Sequence, residues 1–263
     1  MTDDISHRGA LMIGHPPTAA LVDRFLATVE PIVPLRALWA HGSLAGGDYR
    51  PGRSDLDLIA VLSRPCTPAE GERLAEAHRR LDAADPLAAG LHCGYAAAGE
   101  LDDPDRPHLA WAHREILHRP VTPVTRSELH RFGVILYGAE PGELLPPVTA
   151  RQLAAFVVRD QRDFWRPALR HPRRWRQDIW VDLGMLTHAR ATVTLRDGTL
   201  ITKREALAEL RAMDAPAEVV DDIERRRYDD PAPPAKPWLT RRAALTRAWL
   251  TPAVAALVAV HPS

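Results

Sequence analysis

Residues 35–62 leave the chain few ways to fold. Two apolar runs, LRALWAH and LDLIAVL, have the length of short strands. The stretch between them, GSLAGGDYRPGRS, is glycine-rich and interrupted by Pro51, so it reads as a turn-rich excursion. The second run opens on Asp55-Leu56-Asp57-Leu58. Residues two apart on a strand point to the same side. Asp55 and Asp57 therefore present two carboxylates to one face, while Leu56, Leu58 and Ala60 take the other. Neighbouring carboxylates repel unless a cation lies between them. Hard oxygen donors of this kind suit Mg²⁺ bound together with substrate phosphates. The Gly42-Ser43 turn upstream offers backbone N–H groups and a hydroxyl to those phosphates. An Asp-x-Asp alone marks a solvated strand edge more often than a site. The combination of apolar strand, Gly-Ser, loop and Asp-x-Asp is much more specific.

The rest of the chain divides by pattern. Thr18 is expected to cap a helix running to about residue 30, with Leu21, Val22, Phe25, Leu26 and Val29 on its apolar face. Thr67, Pro68 and Glu70 form a capping-box signature for a helix to about residue 84. Residues 91–97 read as a third strand, and residues 102–122 are ambiguous. Residues 125–132 suit a short helix with Glu128 in capping position, followed by a strand over 134–137. After Pro146-Pro147 the pattern becomes helical throughout. Helices are expected from Thr149 to about 170, over 178–195, from the Thr202-Lys203-Arg204-Glu205 capping box, over 216–228, and over 239–260 with a kink at Pro252. The expected division is a mixed α/β domain over 1–145 and a helical domain over 146–263.

Composition narrows the function classes. Lys+Arg and Asp+Glu both number 34, so no net charge calls for a nucleic-acid partner. Cys66 and Cys93 stand alone, as reduced thiols of a cytosolic protein do. The N-terminal MTDDISHRGALMIGHPP has no apolar signal core. The apolar stretch over 248–260 is too short to span a bilayer. The expectation is a soluble, cytoplasmic protein without a membrane partner.

The motif His41-Gly42-Ser43 through Asp55-Leu56-Asp57-Leu58 resembles the signature of the nucleotidyltransferase superfamily. That superfamily includes the aminoglycoside nucleotidyltransferases and the small antitoxin-type enzymes. Ile179-Trp180-Val181-Asp182-Leu183 through Leu200-Ile201-Thr202-Lys203-Arg204-Glu205-Ala206 is similar to the helical C-terminal domain of streptomycin/spectinomycin adenylyltransferases. The resemblance implies an α+β fold: a nucleotidyltransferase-type mixed sheet with flanking helices, followed by an all-helical bundle, with the acceptor in a cleft between the two. It further implies that Gly42 and Ser43 touch the triphosphate of ATP, that Arg53 and Ser54 neighbour it, and that Asp55 and Asp57 hold Mg²⁺. The implied reaction moves AMP to a hydroxyl of a small-molecule acceptor, with Asp178 and Asp182 the acids nearest the acceptor.

Two departures from that pattern matter. These enzymes carry a third carboxylate on the next core strand, and Leu91-His92-Cys93-Gly94-Tyr95-Ala96 has none. His92 falls near that place and, as a neutral imidazole, could accept a proton. Packing alone explains a histidine there equally well. The second departure is arginine: Arg151, Arg159, Arg162, Arg166, Arg170, Arg173, Arg174 and Arg176 stand against Asp160 and Asp163, which disfavours a polycationic acceptor. Trp165, Trp175 and Trp180 suit core positions better than stacking platforms. Two rival readings stay open: a nucleotide-binding regulatory module with lost or weak catalysis, and a protein-modifying adenylyltransferase.

Overall fold

The computed structural model describes residues 13–229 and 234–261. Its contacts divide the chain between Val148 and Thr149 into two compact units. The first contains α1 (Pro16–Val29), β1 (Leu35–Ala40), a one-turn α2 (Gly42–Ala45), β2 (Leu56–Leu62), α3 (Pro68–Ala84), β3 (Leu91–Ala97), β4 (Pro107–Ala112), β5 (Glu115–Pro120), α4 (Pro123–Phe132), β6 (Val134–Gly138) and α5 (Pro141–Leu144). The strands form one mixed sheet in the order β5-β4-β3-β2-β1-β6. Only β2 and β3 run parallel, joined through α3 as a parallel pair requires.

Strand alternation sorts this sheet into two cores. Leu56, Leu58, Ala60, Leu62, Leu91, Cys93 and Tyr95 pack against Leu21, Phe25 and Leu74 of α1 and α3. Trp39, Ile59, Val61 and Ala96 face the other way, against Leu129 of α4 and Leu145. Burying both faces explains why β2 reads as an almost unbroken apolar run after Asp57.

Several boundaries differ from the sequence reading. The cap of α1 is His15, whose side chain accepts from the Thr18 amide, because Pro16 and Pro17 already occupy the first helical positions. Residues 102–122 contain the β4–β5 hairpin. His113 and Arg114 at its turn have φ of 53° and 65°, a left-handed pair for which Asn-Gly is the usual sequence signal. The cap of α4 is Thr122, three residues ahead of Thr125, with Pro123 following it. Glu128 is therefore not at a capping position; it points inward and is buried.

The second unit holds α6 (Ala150–Asp160), a π-helical turn (Gln161–Trp165), the single turn α7 (Arg166–Ala168), α8 (Asp178–Asp197), α9 (Lys203–Ala212), α10 (Ala217–Tyr228) and α11 (Lys236–Val260). The π turn interrupts the single helix expected over 149–170. Trp175 and Trp165 are buried in a core with Val181, Met185, Leu207, Ile223 and Leu250. All eight arginines between 151 and 176 except the half-buried Arg162 are exposed. The helix α11 has 25 residues, and its most apolar 18-residue window has mean hydropathy 1.6, long and apolar enough to cross a membrane by those two measures alone. Its Arg242, Ala243, Thr246, Leu250 and Val254 are nonetheless buried in the second unit.

Candidate active site

Gly42 begins the excursion after β1 with φ +63°, and a Cβ there would lie 2.7 Å from Asp57 Oδ2. The position thus combines a left-handed backbone with close approach of a carboxylate, and glycine alone meets both demands. The amide of His41 donates to the carbonyl of Asp57 at 3.0 Å, which fixes the excursion to the start of β2. Further along, the Asp48 amide donates to Ser43 O, and the Arg50 amide donates to Ser54 Oγ at 3.0 Å. Ser54 is buried and committed to shaping the loop, while Arg53 is exposed. The Tyr49 hydroxyl lies 3.3 Å from Thr18 Oγ1 and ties the loop to α1. Burial, offset by that hydrogen bond and reinforced by Asp55 and Asp85, raises the Tyr49 phenol above its ordinary value.

The parallel register pairs Asp57 with His92. One imidazole consequently meets both acids: His92 Nδ1 is 3.6 Å from Asp57 Oδ1, and His92 Nε2 is 3.8 Å from Asp55 Oδ1. The Asp55 side chain is 54% exposed and that of Asp57 32%, so both carboxylates keep room for an outside partner. Gly90 lies against Asp55, where a Cβ would come within 3.9 Å of the carboxylate. The His113 amide donates to His92 Nε2 at 3.3 Å, and the two rings meet edge to face at 4.7 Å. Burial, with help from His92 and Arg119, lowers the His113 imidazole below its ordinary value.

On the opposite side of Asp57, His41 Nδ1 lies 3.1 Å from Glu128 Oε2, with the Glu128 side chain only 7% exposed. His41, Asp57 and His92 thus stand side by side at the ends of β1, β2 and β3. The sequence reading missed His41 and Glu128 as part of this cluster. The Thr122-Pro123 cap signal, read correctly, would have turned Glu128 inward.

Among the described residues no three His, Cys, Asp or Glu side chains are gathered into a complete metal cage. Two part-exposed carboxylates have the chemistry to share a cation that takes its remaining oxygens from water and phosphate, as Mg²⁺ does. Asp178 and Asp182 lie apart from this cluster in sequence and in unit. Asp178 Oδ1 accepts from Arg242 Nη2 at 2.5 Å, and Asp182 accepts from both terminal nitrogens of Arg226, at 2.7 and 2.8 Å. Burial raises the Asp182 carboxyl above its ordinary value despite Arg226.

Compared with solved structures, the chain is similar to spectinomycin adenyltransferase AAD(9) from Enterococcus faecialis, crystallised with ATP and spectinomycin. The TM-score is 0.71 at 16% sequence identity, covering 90% of this chain and 98% of that one. No protein-family model and no curated protein matches the sequence. The likeness is one of fold: a nucleotidyltransferase-type α+β unit followed by a helical one.

Proposed function

We propose that the chain is a nucleotidyltransferase that moves AMP from ATP to a hydroxyl of a small-molecule acceptor. The observation that carries this reading is the convergence of Asp55, Asp57 and His92 beside a Gly42 that only glycine can occupy. The fold shared with an adenyltransferase crystallised with ATP supports it. In this reading the Gly42-Ser43 turn supplies backbone N–H groups and a hydroxyl to the triphosphate. Arg53 adds an exposed positive charge at the loop's edge, and Ser54 holds the loop in shape. Asp55 and Asp57 would hold Mg²⁺, whose charge would offset that of the phosphates. The acceptor oxygen forms a bond to the α-phosphorus as the bond to the β-bridging oxygen breaks, and pyrophosphate departs with that electron pair.

His92 stands where a third carboxylate is expected. Because its Nε2 accepts the His113 amide, the neutral ring carries its hydrogen on Nδ1, toward Asp57. His92 Nδ1–H therefore faces Asp57 from 3.6 Å, beyond hydrogen-bond distance, and Nε2 can take the acceptor's proton only by giving up the His113 bond. Slow turnover follows. Asp178 and Asp182 are already answered by Arg242 and Arg226, which argues against their use as bare anions toward a polycation.

The same occupied Nε2 favours one rival, a nucleotide-binding module without efficient catalysis. Incubation with ATP labelled at the α-phosphate, a divalent cation and a panel of hydroxyl acceptors separates the two. The enzyme reading expects slow, cation-dependent label transfer that stops in Asp55→Asn/Asp57→Asn. Tight ATP binding with no transfer to any acceptor would favour the module.

A further inference from the structure

The sheet face that carries Asp57 and His92 continues past them into a half-open trough. Alternation and register put Asp57 and Ile59 of β2, His92 and Gly94 of β3, and His108, Ala110 and Ala112 of β4 on this side. Arg119 of β5 joins them opposite His108. Thr122 and Thr125, at the start of α4, line the other side, and the space between measures about 270 Å³. Ala110 and Ala112 keep the floor low, while Ile59 fills the space over Gly94, where a Cβ would meet its Cδ1 at 3.1 Å.

The far end of the trough is chemically unfinished. His108 is 4% exposed, and its Nε2 has no hydrogen-bond partner. Buried polar atoms are nearly always partnered, so this one calls for a ligand group. Across the ladder, Arg119 is exposed and its guanidinium makes no hydrogen bond or ion pair among the described residues. A guanidinium left open in this way is suited to a phosphate or carboxylate.

We propose that this trough binds the acceptor, and that the acceptor is a single hydroxylated ring bearing one anionic group. The proposal rests on the nucleotidyl-transfer reading. Four residues along β4 separate Ala112, at the His92 end, from His108, a span of roughly 13 Å. An anion held by Arg119 at the His108 end of the ladder would lie farther from Asp55 and Asp57 than a hydroxyl at the Ala112 end. A polycation would meet Arg119 and the imidazoles of His92 and His108 along the trough, and Asp57 at one end only. The volume falls just under the roughly 300–1,000 Å³ of pockets for drug-sized ligands, which fits one ring better than several.

The test is calorimetry without nucleotide, using glucose 6-phosphate, ribose 5-phosphate and inositol 1-phosphate as probes, with glucose and glucosamine as neutral and cationic controls. At least one phosphate should bind, and glucose and glucosamine should bind at least tenfold more weakly. Ala110→Leu should fill the trough and abolish binding. Arg119→Ala, at an exposed position that tolerates change, should weaken it at least tenfold. Both variants should keep their Mg²⁺-ATP affinity within twofold of wild type. Failure of all three phosphates, or preference for glucosamine, would overturn the proposal. So would an Ala110→Leu variant that loses ATP affinity, because the trough would then belong to the nucleotide. Wild type that binds a phosphate probe but not Mg²⁺-ATP would sink the transfer reading and leave the trough standing as a site.

Discussion

Gly42 and Gly47 share a left-handed backbone, at φ +63° and +73°, yet only Gly42 has a carboxylate where a Cβ would sit. Alanine at either position meets a backbone penalty of about 1–2 kcal/mol. Gly42→Ala must also push Asp57 away, so it should lose Mg²⁺-ATP affinity at least tenfold, and Gly47→Ala should keep it. Urea unfolding and calorimetry on the pair separate the two effects. A second residue-scale prediction concerns His78. It is buried, stacked on Trp111 at 4.8 Å and hydrogen-bonded to the Tyr95 hydroxyl at 2.7 Å. Burial lowers its imidazole from 6.5 to about 3. Its folded value lies below its unfolded one, so its contribution to stability is complete above pH 6.5 and is lost as pH falls toward 3. The loss is on the order of 1 kcal/mol per pH unit within that window. His78→Gln, which keeps a partner for Tyr95, should flatten the acid limb of a stability-versus-pH curve. At this scale Asp55 and Asp57 were legible because alternation needs only sequence. His41–Glu128 was not, because it joins residues 87 apart across a helix whose start had been misjudged.

Local chemistry decided which elements could be read in advance. The capping boxes Thr67–Glu70 and Thr202–Glu205 are both made in full, side chain to backbone in each direction. Thr202→Ala should therefore lower stability by about 1 kcal/mol, measured by urea denaturation, with loss confined to its cap. The β4–β5 hairpin escaped because His113-Arg114 does not advertise a turn. Its backbone is held by its ladder and by the His113 amide on His92, a contact that propensity cannot foresee. The π turn at Gln161–Trp165 escaped for a related reason: the apolar spacing is helical on both sides, and the Trp165 indole finds its acceptor in Asp160.

Across the whole molecule, the change of pattern near Pro146-Pro147 and the break in contacts after Val148 lie close together. The second unit is organised around a buried charge that the sequence did not reveal. Arg242 is fully buried and donates to Asp222 at 2.8 Å, and Trp238 and Arg226 also donate to Asp222. Burial pushes the Asp222 carboxyl up, and the hydrogen bonds from Arg242 and Trp238 more than reverse it. Arg242→Ala should cost about 1.5–3 kcal/mol in thermal or denaturant unfolding, because Asp222 loses a charged donor while Arg226 and Trp238 still answer it. Nothing in the sequence pattern singled out Arg242 or Asp222, and only the fold shows that they turn inward. The central claim concerns the other unit, and calorimetric titration of ATP with and without Mg²⁺ tests it most directly. Wild type should bind ATP in a Mg²⁺-dependent way, and Asp55→Asn/Asp57→Asn should abolish that dependence. A double variant that binds Mg²⁺-ATP as tightly as wild type would contradict the account.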